Sequence, residues 1–272
     1  MSIHSCKPKR SRNMTRLQKK LSDHKSLIVF ITAGDPDMET TLQIMKNMAE
    51  EKVDCIELGM PFSDPIADGA VIQRSTSRAL KQNIRLEDIF GLASRFRQQY
   101  DTPVVLMGYL NPILHMESER FILRAKAAGV DGLVIADLPF EEGEEMETLC
   151  KKHDMALIYL LAPELSTQRT AAIVKASTGF IYCIAQYGTT GSESRSPASL
   201  QSVVESIRLY TDKPVMVGFG VSSEEKARQI CEYADGVVIG SWLIRELERA
   251  TDKPACARDF VRNLKKAMSI QV

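Results

Sequence analysis

The chain has no cysteine pairs at metal- or redox-type spacing. Its six cysteines, Cys6, Cys55, Cys150, Cys183, Cys231 and Cys256, are scattered without a CxxC. Several fall inside predicted strands or helices and read as reduced, buried, small apolar residues. Such usage implies a reducing compartment, most simply the cytoplasm. The four histidines, His4, His24, His115 and His153, stand alone. None has metal-ligand spacing to another histidine or a cysteine, so no metal is expected. Neither sign of charge dominates: Lys+Arg and Asp+Glu number 35 each. No overall field therefore favours nucleic acid or an anionic membrane. No apolar run approaches the length of a membrane span. Residues 1–13 are rich in Ser, Lys and Arg and lack the apolar stretch of a secretory signal. They read as a disordered basic arm, or as sequence upstream of a start at Met14.

What is present suits one large domain. The length of 272 residues and the hydrophobic content of 44% support a sizeable core. A helical turn or two fits Thr15–Leu21, after which strand and helix alternate. The expected strands are Leu27–Thr32, residues 53–58, Pro103–Met107, Gly132–Ala136, Met155–Leu161, Phe180–Ala185, Pro214–Phe219 and Gly236–Ile239. Between them, Leu42, Met45, Met48 and Ala49 recur at helical spacing. Val71–Leu80, Leu86–Tyr100, Ser118 to Gly129, Glu141–His153, a segment capped by Ser166, and Ser222–Tyr233 also read as helices. Leu200, Val203, Val204 and Ile207 form an apolar stripe. Gly108 to Pro112 reads as a turn. A short helix starts near Ser241, and a last one follows Pro254. Eight such alternations predict a single-domain α/β protein, a (β/α)8 barrel over residues 14–272. A doubly wound open sheet is the alternative, but it needs no eighth repeat. The units recur at roughly thirty residues and share no clear sequence identity.

The informative stretch runs from Ile56 to Gly69, Ile-Glu-Leu-Gly-Met-Pro-Phe-Ser-Asp-Pro-Ile-Ala-Asp-Gly. A short apolar strand carries Glu57 in its middle and is stopped by Gly59 and Pro61. A carboxylate there is costly to bury without a partner or a task. Alternation puts Cys55 and Glu57 on one face, with Ile56 and Leu58 on the other. Glu57 is then a chemical acid or a paired structural one, and Asp68-Gly69 a catalytic loop or a plain turn. Barrel enzymes place their chemistry at strand C-termini. Gly218-Phe219-Gly220 and Gly240-Ser241, after the last two strands, suit an anion held by backbone N–H groups at helix starts. Within the first of these, Gly218 reads as a tight turn. The polar run Gly188 to Arg195 reads as a mobile lid or a bland surface loop. Phe30, Tyr109, Tyr182 and Phe219 offer aromatic walls, or ordinary core.

The fourteen-residue stretch closely resembles the signature of the tryptophan synthase alpha chain family. The resemblance runs from about Thr15 to the C-terminus. It implies cleavage of indole-3-glycerol phosphate to indole and glyceraldehyde 3-phosphate, a retro-aldol reaction. Glu57 and Asp68 match the family's two catalytic acids. Residues matching Phe30, Tyr109, Tyr182 and Phe219 line the family's indole pocket or its rim. Gly191, Gly220, Gly240 and Ser241 match its phosphate ligands, and Asp137, in Ala136-Asp137-Leu138-Pro139, matches a recurrent motif. Thr190 and Gly191 match the end of the family's lid core, where Thr190 would help place Asp68. Thr189 departs from the usual Val, and Ala185-Gln186 from the usual Ser-Arg or Ser-Val. The family implies no cofactor in this chain and a partner beta chain that carries pyridoxal phosphate. Two alpha and two beta chains are expected, meeting near Asp64-Pro65 and Asn111-Pro112. Two other readings remain. One is another phosphate-handling barrel, such as a sugar-phosphate isomerase or indole-glycerol-phosphate synthase, though no strand carries the lysine that the synthase requires. The other is a non-catalytic subunit that tunes the beta chain.

Overall fold

The structure, a computed structural model, describes residues 14–21, 23–163, 165–184, 197–218 and 220–268. The expected basic arm (1–13), the lid with Thr190 and Gly191, and Phe219 lie outside the described residues. The strands are β1 (Ser26–Thr32), β2 (Cys55–Gly59), β3 (Val104–Gly108), β4 (Gly132–Ile135), β5 (Ala156–Ile158), β6 (Leu160–Leu161), β7 (Ile181–Ile184), β8 (Val215–Gly218) and β9 (Gly236–Ile239). The helices are α1 (Arg16–Leu21), α2 (Met38–Glu50), α3 (Ala70–Leu80), α4 (Leu86–Arg97), α5 (Leu110–Met116) and α6 (Ser118–Ala127). They continue with α7 (Glu144–Lys152), α8 (Thr167–Ala176), α9 (Pro197–Arg208), α10 (Glu224–Tyr233), α11 (Ser241–Arg249) and α12 (Lys253–Met268).

Every strand pair is parallel, in the order β5-β4-β3-β2-β1-β9-β8-β7-β6. The two ends of that order, β5 and β6, are separated in sequence by Tyr159 alone. They are halves of one strand, so the sheet closes on itself as an eight-position (β/α)8 barrel. The expected continuous strand Met155–Leu161 is thus corrected to a broken one. Tyr159 directs its N–H to the Ser177 hydroxyl at 3.2 Å, away from a neighbouring strand. Its phenol donates to Glu147 at 2.9 Å and fills the space where a Gly143 Cβ would stand. The expected helix Glu141–His153 accordingly splits at Gly143 into one 3-10 turn, Phe140–Glu142, and α7.

Alternation sorts the side chains into two cores. Ile28, Cys55, Val105, Val134, Ile158 and Tyr182 point into the barrel. Val29, Ile56, Leu58, Leu106 and Leu133 point outward under the helices. Parallel strands covered on both faces need such near-continuous apolar runs, and β1 and β2 are buried at every residue.

The N-terminal rim is closed twice over. Helix α1 drops Leu17 and Leu21, 0% and 1% exposed, into the barrel's inner core as a plug. Around it, Asp54, Asp131 and Asp235 each stand just before a strand. Their carboxylates accept from Leu27 N–H (2.8 Å), Val104 N–H (2.9 Å) and Val215 N–H (2.8 Å) of the preceding barrel strand. Their own N–H groups donate back to the carbonyls of those same residues at 3.0, 2.8 and 3.0 Å. Thr178 repeats the exchange with Leu157 through its hydroxyl. Three of the eight units thus share a single aspartate at the same place, in Val53-Asp54-Cys55, Val130-Asp131-Gly132 and Ala234-Asp235-Gly236. One residue in each of three units is too little to register as repetition in the sequence.

Candidate active site

The C-terminal mouth is built differently. Glycines occupy inward positions near the strand ends because aromatic rings lie across them. A Cβ on Gly59 would come within 2.5 Å of the Phe30 ring, and one on Gly218 within 2.4 Å of the Tyr182 ring. Gly218 thus makes room for Tyr182 within β8, which corrects the tight-turn expectation. Met107, Leu160 and Ile184 complete the inner apolar surface and are only partly buried.

Glu57 enters this apolar surface from β2. Register places it opposite Phe30 on β1 and Val105 on β3. It is 1% exposed, and its Oε1 has no hydrogen-bond partner. Burial alone pushes its carboxyl up to about 8. The ring of Tyr182, 3% exposed, shares the enclosure, and its phenol is raised by burial first and by Glu57 second.

Asp68 approaches from the loop after β2. It lines a cleft with Phe30, Thr32, Thr76, Met107 and Tyr109. Glu57 is not part of that lining and lies deeper. Burial lifts the Asp68 carboxyl to about 6, against a lowering hydrogen bond from the Tyr109 hydroxyl. The same hydroxyl accepts the Ala67 N–H at 3.1 Å, and the Tyr109 ring packs on Phe62 with centroids 5.4 Å apart. Tyr109 therefore grips the Asp68 loop at several points. Sequence reasoning missed Phe62, Thr32 and Thr76. Phe62 was legible only as part of the motif, and the two threonines carry no local signal.

The remaining predicted residues divide. Asp137 reaches the mouth, but its Oδ1 accepts the Leu110 N–H at 2.7 Å. It so caps α5, a helix standing where a turn was expected. Pro112 fits that helix because its first turn needs no N–H there. Gly220 adopts φ +84°, a conformation suited to glycine. It does not sit at a helix start, as expected: α10 begins later, capped by Ser223, whose hydroxyl accepts the Lys226 N–H at 3.2 Å. Gly240 does precede a helix, and no side chain caps α11 at Gly240. Among the described residues no group of His, Cys, Asp and Glu side chains could hold a metal ion.

The closed parallel barrel, with two raised carboxyls at its C-terminal mouth, defines a (β/α)8 protein of the acid–base enzyme type. A family model described as "Tryptophan synthase alpha chain" matches residues 17–270. The chain belongs to the tryptophan synthase alpha chain family. It is 42% identical to the tryptophan synthase alpha chain of Picosynechococcus sp. over 90% of this chain and 94% of the relative. With that of Janthinobacterium sp. it shares 41% identity over 94% of this chain and 99% of the relative. Among solved structures, the alpha subunit from Legionella pneumophila str. Paris superposes with a TM-score of 0.87 at 34% identity, covering 94% of this chain and 99% of that one. A chain of Mycobacterium tuberculosis tryptophan synthase gives a TM-score of 0.87 at 31% identity, covering 95% and 100%.

Proposed function

We propose that Glu57 and Asp68 are the acid–base pair with which this lyase cleaves indole-3-glycerol phosphate to indole and glyceraldehyde 3-phosphate. The observation that carries the assignment is Glu57, buried and lacking a partner for Oε1, with a carboxyl that burial raises to about 8. A neutral acid delivers a proton to indole C3, breaking the ring's aromaticity. Asp68 is mostly ionised near neutrality and accepts the indole N–H, stabilising the positive charge that develops on the ring. The Glu57 carboxylate then takes the proton of the hydroxyl on the carbon bonded to the ring. The C–C bond breaks, its electrons return to the ring, and the hydroxyl carbon becomes the aldehyde. The net change is one proton moved from oxygen to carbon. General acid–base catalysis of this kind contributes about 10²–10⁴-fold.

Phe30, Tyr109, Tyr182 and Phe219 wall the indole, and Asp137 supports the rim. Gly191, Gly220, Gly240 and Ser241 hold the phosphate, with the uncapped start of α11 supplying N–H groups. Thr190 closes over Asp68. The chain needs no cofactor. Its partner is a beta chain carrying pyridoxal phosphate, in a complex of two alpha and two beta chains. Ile66 and Leu114, 75% and 53% exposed, lie beside Asp64-Pro65 and Asn111-Pro112 and support that face as the contact. A cytoplasmic location agrees with the free state of the five described cysteines. Among the described residues no helix is long and apolar enough to cross a membrane. A purely regulatory subunit would have no use for a buried Glu57 whose Oε1 has no partner.

The test supplies indole-3-glycerol phosphate to the purified chain, with and without a beta chain, and follows glyceraldehyde 3-phosphate. Release of the aldehyde, faster with the beta chain and inhibited by glycerol phosphate, is expected. No release under either condition would overturn the assignment.

A further inference from the structure

Helix α3 begins at Ala70, two residues beyond Asp68. It packs on β1 and α11, which come from the two ends of the chain. On its inner side the Ser75 hydroxyl, 0% exposed, lies 2.6 Å from the Thr32 hydroxyl at the end of β1. On its outer side two arginines make forked contacts. Arg78 places Nε and Nη2 on the two Asp35 oxygens at 2.8 and 2.7 Å, and Nη1 on Glu248 at 2.9 Å. Arg74 places Nε and Nη2 on the two Glu248 oxygens at 2.9 and 2.8 Å. At the helix start, Gln73 donates to the Asp68 carbonyl at 2.8 Å.

Asp35 belongs to the loop after β1, and Glu248 to the helix whose first residue is Ser241. The four side chains therefore join three segments of the mouth. Of these pairs, the Arg74–Glu248 pair, 51% and 31% exposed, contributes little to stability by itself. Arginine–carboxylate forks do something else: two parallel hydrogen bonds fix direction as well as distance. Here the forks fix α3, and α3 is the downstream anchor of the Asp68 loop.

We infer that Asp35, Arg74, Arg78 and Glu248 are positioning residues that hold α3 against β1 and α11, and so set where Asp68 meets the substrate. The inference rests on the reading of Asp68 as the indole N–H acceptor. The same clamp joins α3 to the helix proposed to hold the phosphate, so it spans both ends of one substrate. Catalysis is sensitive to such placement, and a misplacement of about 1 Å costs on the order of 100-fold.

The test uses the full chain with its beta chain. Arg78→Met and Glu248→Gln are expected to lower kcat about tenfold or more, with KM within about twofold of the parent. Arg78→Lys, which keeps the charge and loses the fork, should recover only part of the rate. Made in an Asp68→Asn background, Arg78→Met should cause little further loss, because the group it positions is gone. Thermal unfolding checks that each variant is folded, and Glu248→Gln serves if Arg78→Met is not. Parental kcat in both single variants, or the same fold loss with and without Asp68, would overturn the inference while leaving Asp68 catalytic. An Asp68→Asn enzyme with parental kcat would instead remove the reading on which it rests.

Discussion

Asp54 stands just before β2 and Glu57 within it, and each is 1% exposed. Their surroundings are opposite. At the N-terminal rim, Asp54 accepts from Leu27 N–H at 2.8 Å and from Lys265 at 2.6 Å, and meets His24 Nε2 at 2.6 Å. At the C-terminal mouth, Glu57 has an oxygen with no partner and a carboxyl raised to about 8. The contrast extends around the barrel. Asp131, although burial raises its carboxyl, is met by Arg16 and Arg97, and Asp235 by Arg208. At the mouth, the Tyr109 phenol lowers the Asp68 carboxyl against the larger effect of its burial. One rim uses carboxylates to clasp strands. The other leaves them under-solvated, which costs stability and makes a proton available for chemistry.

The largest expected effect comes from removing the unpartnered acid. Glu57→Gln should lower kcat by about 10²–10⁴-fold while the chain stays folded. Its stability should also lose a pH dependence. A carboxyl at about 8 in the folded chain and near 4.5 when unfolded is protonated in both states below about 4.5. As pH rises toward 8, the unfolded chain releases a proton that the folded chain keeps. Folding stability therefore falls across that window by about 4–5 kcal/mol and levels off above it. Denaturant unfolding of parent and Glu57→Gln at several pH values reads this difference directly. A variant with the parental pH slope and parental kcat would make Glu57 a structural acid like Asp54.

The mirror experiment is Asp54→Ala. Leu27 is fully buried, so its N–H loses its partner without gaining water. His24 and Lys265 are 45% and 25% exposed and can turn to solvent. Leaving one buried donor unmet costs about 1–3 kcal/mol, while the backbone bond from residue 54 N–H to the Leu27 carbonyl is kept. A loss within that range is expected in denaturant unfolding, with kcat per folded molecule unchanged. A fall in kcat matching that of Glu57→Gln would erase the distinction between the rims.

The same contrast explains what was readable in the sequence. Glu57 stood out because an acid interrupting an apolar run breaks a local pattern. The eight strand positions were readable for the same reason. The break at Tyr159 was not, because its cause, the Ser177 hydroxyl, lies on a later segment. Helix α5 was hidden behind Asn111-Pro112, since its first N–H is satisfied by Asp137 from the next unit. The Asp54, Asp131 and Asp235 clasps were each one residue long. Arg74 and Arg78 read as an ordinary solvated helix face until Glu248, near the other end of the chain, was placed beside them. Patterns that repeat along a segment survive in sequence; partnerships across the barrel do not.

The smallest expected effect sharpens the comparison at Asp68. Its carboxyl lies between the two extremes, half-buried and held by one phenol. That phenol also accepts the Ala67 N–H, and its ring packs on Phe62. Tyr109→Phe keeps the ring contact and deletes both hydrogen bonds. The hydrogen bond stabilises the charged carboxylate, so its loss raises a value that already stands at about 6. Asp137, whose charge also acts on the Tyr109 phenol, is unaltered by the change. Asp68 acts as a charged acceptor, so activity rises with pH through its titration. The acid limb of kcat/KM should therefore move to higher pH by less than about one unit, the scale of a single lost hydrogen bond. The variant should be several-fold slower near pH 5.5 and close to parental near pH 8. A uniform loss at every pH would mean that Tyr109 acts by packing against indole or by holding the loop's shape. A limb that shifts downward would mean that its hydroxyl opposes the charge on Asp68, placing that acid with the neutral Glu57.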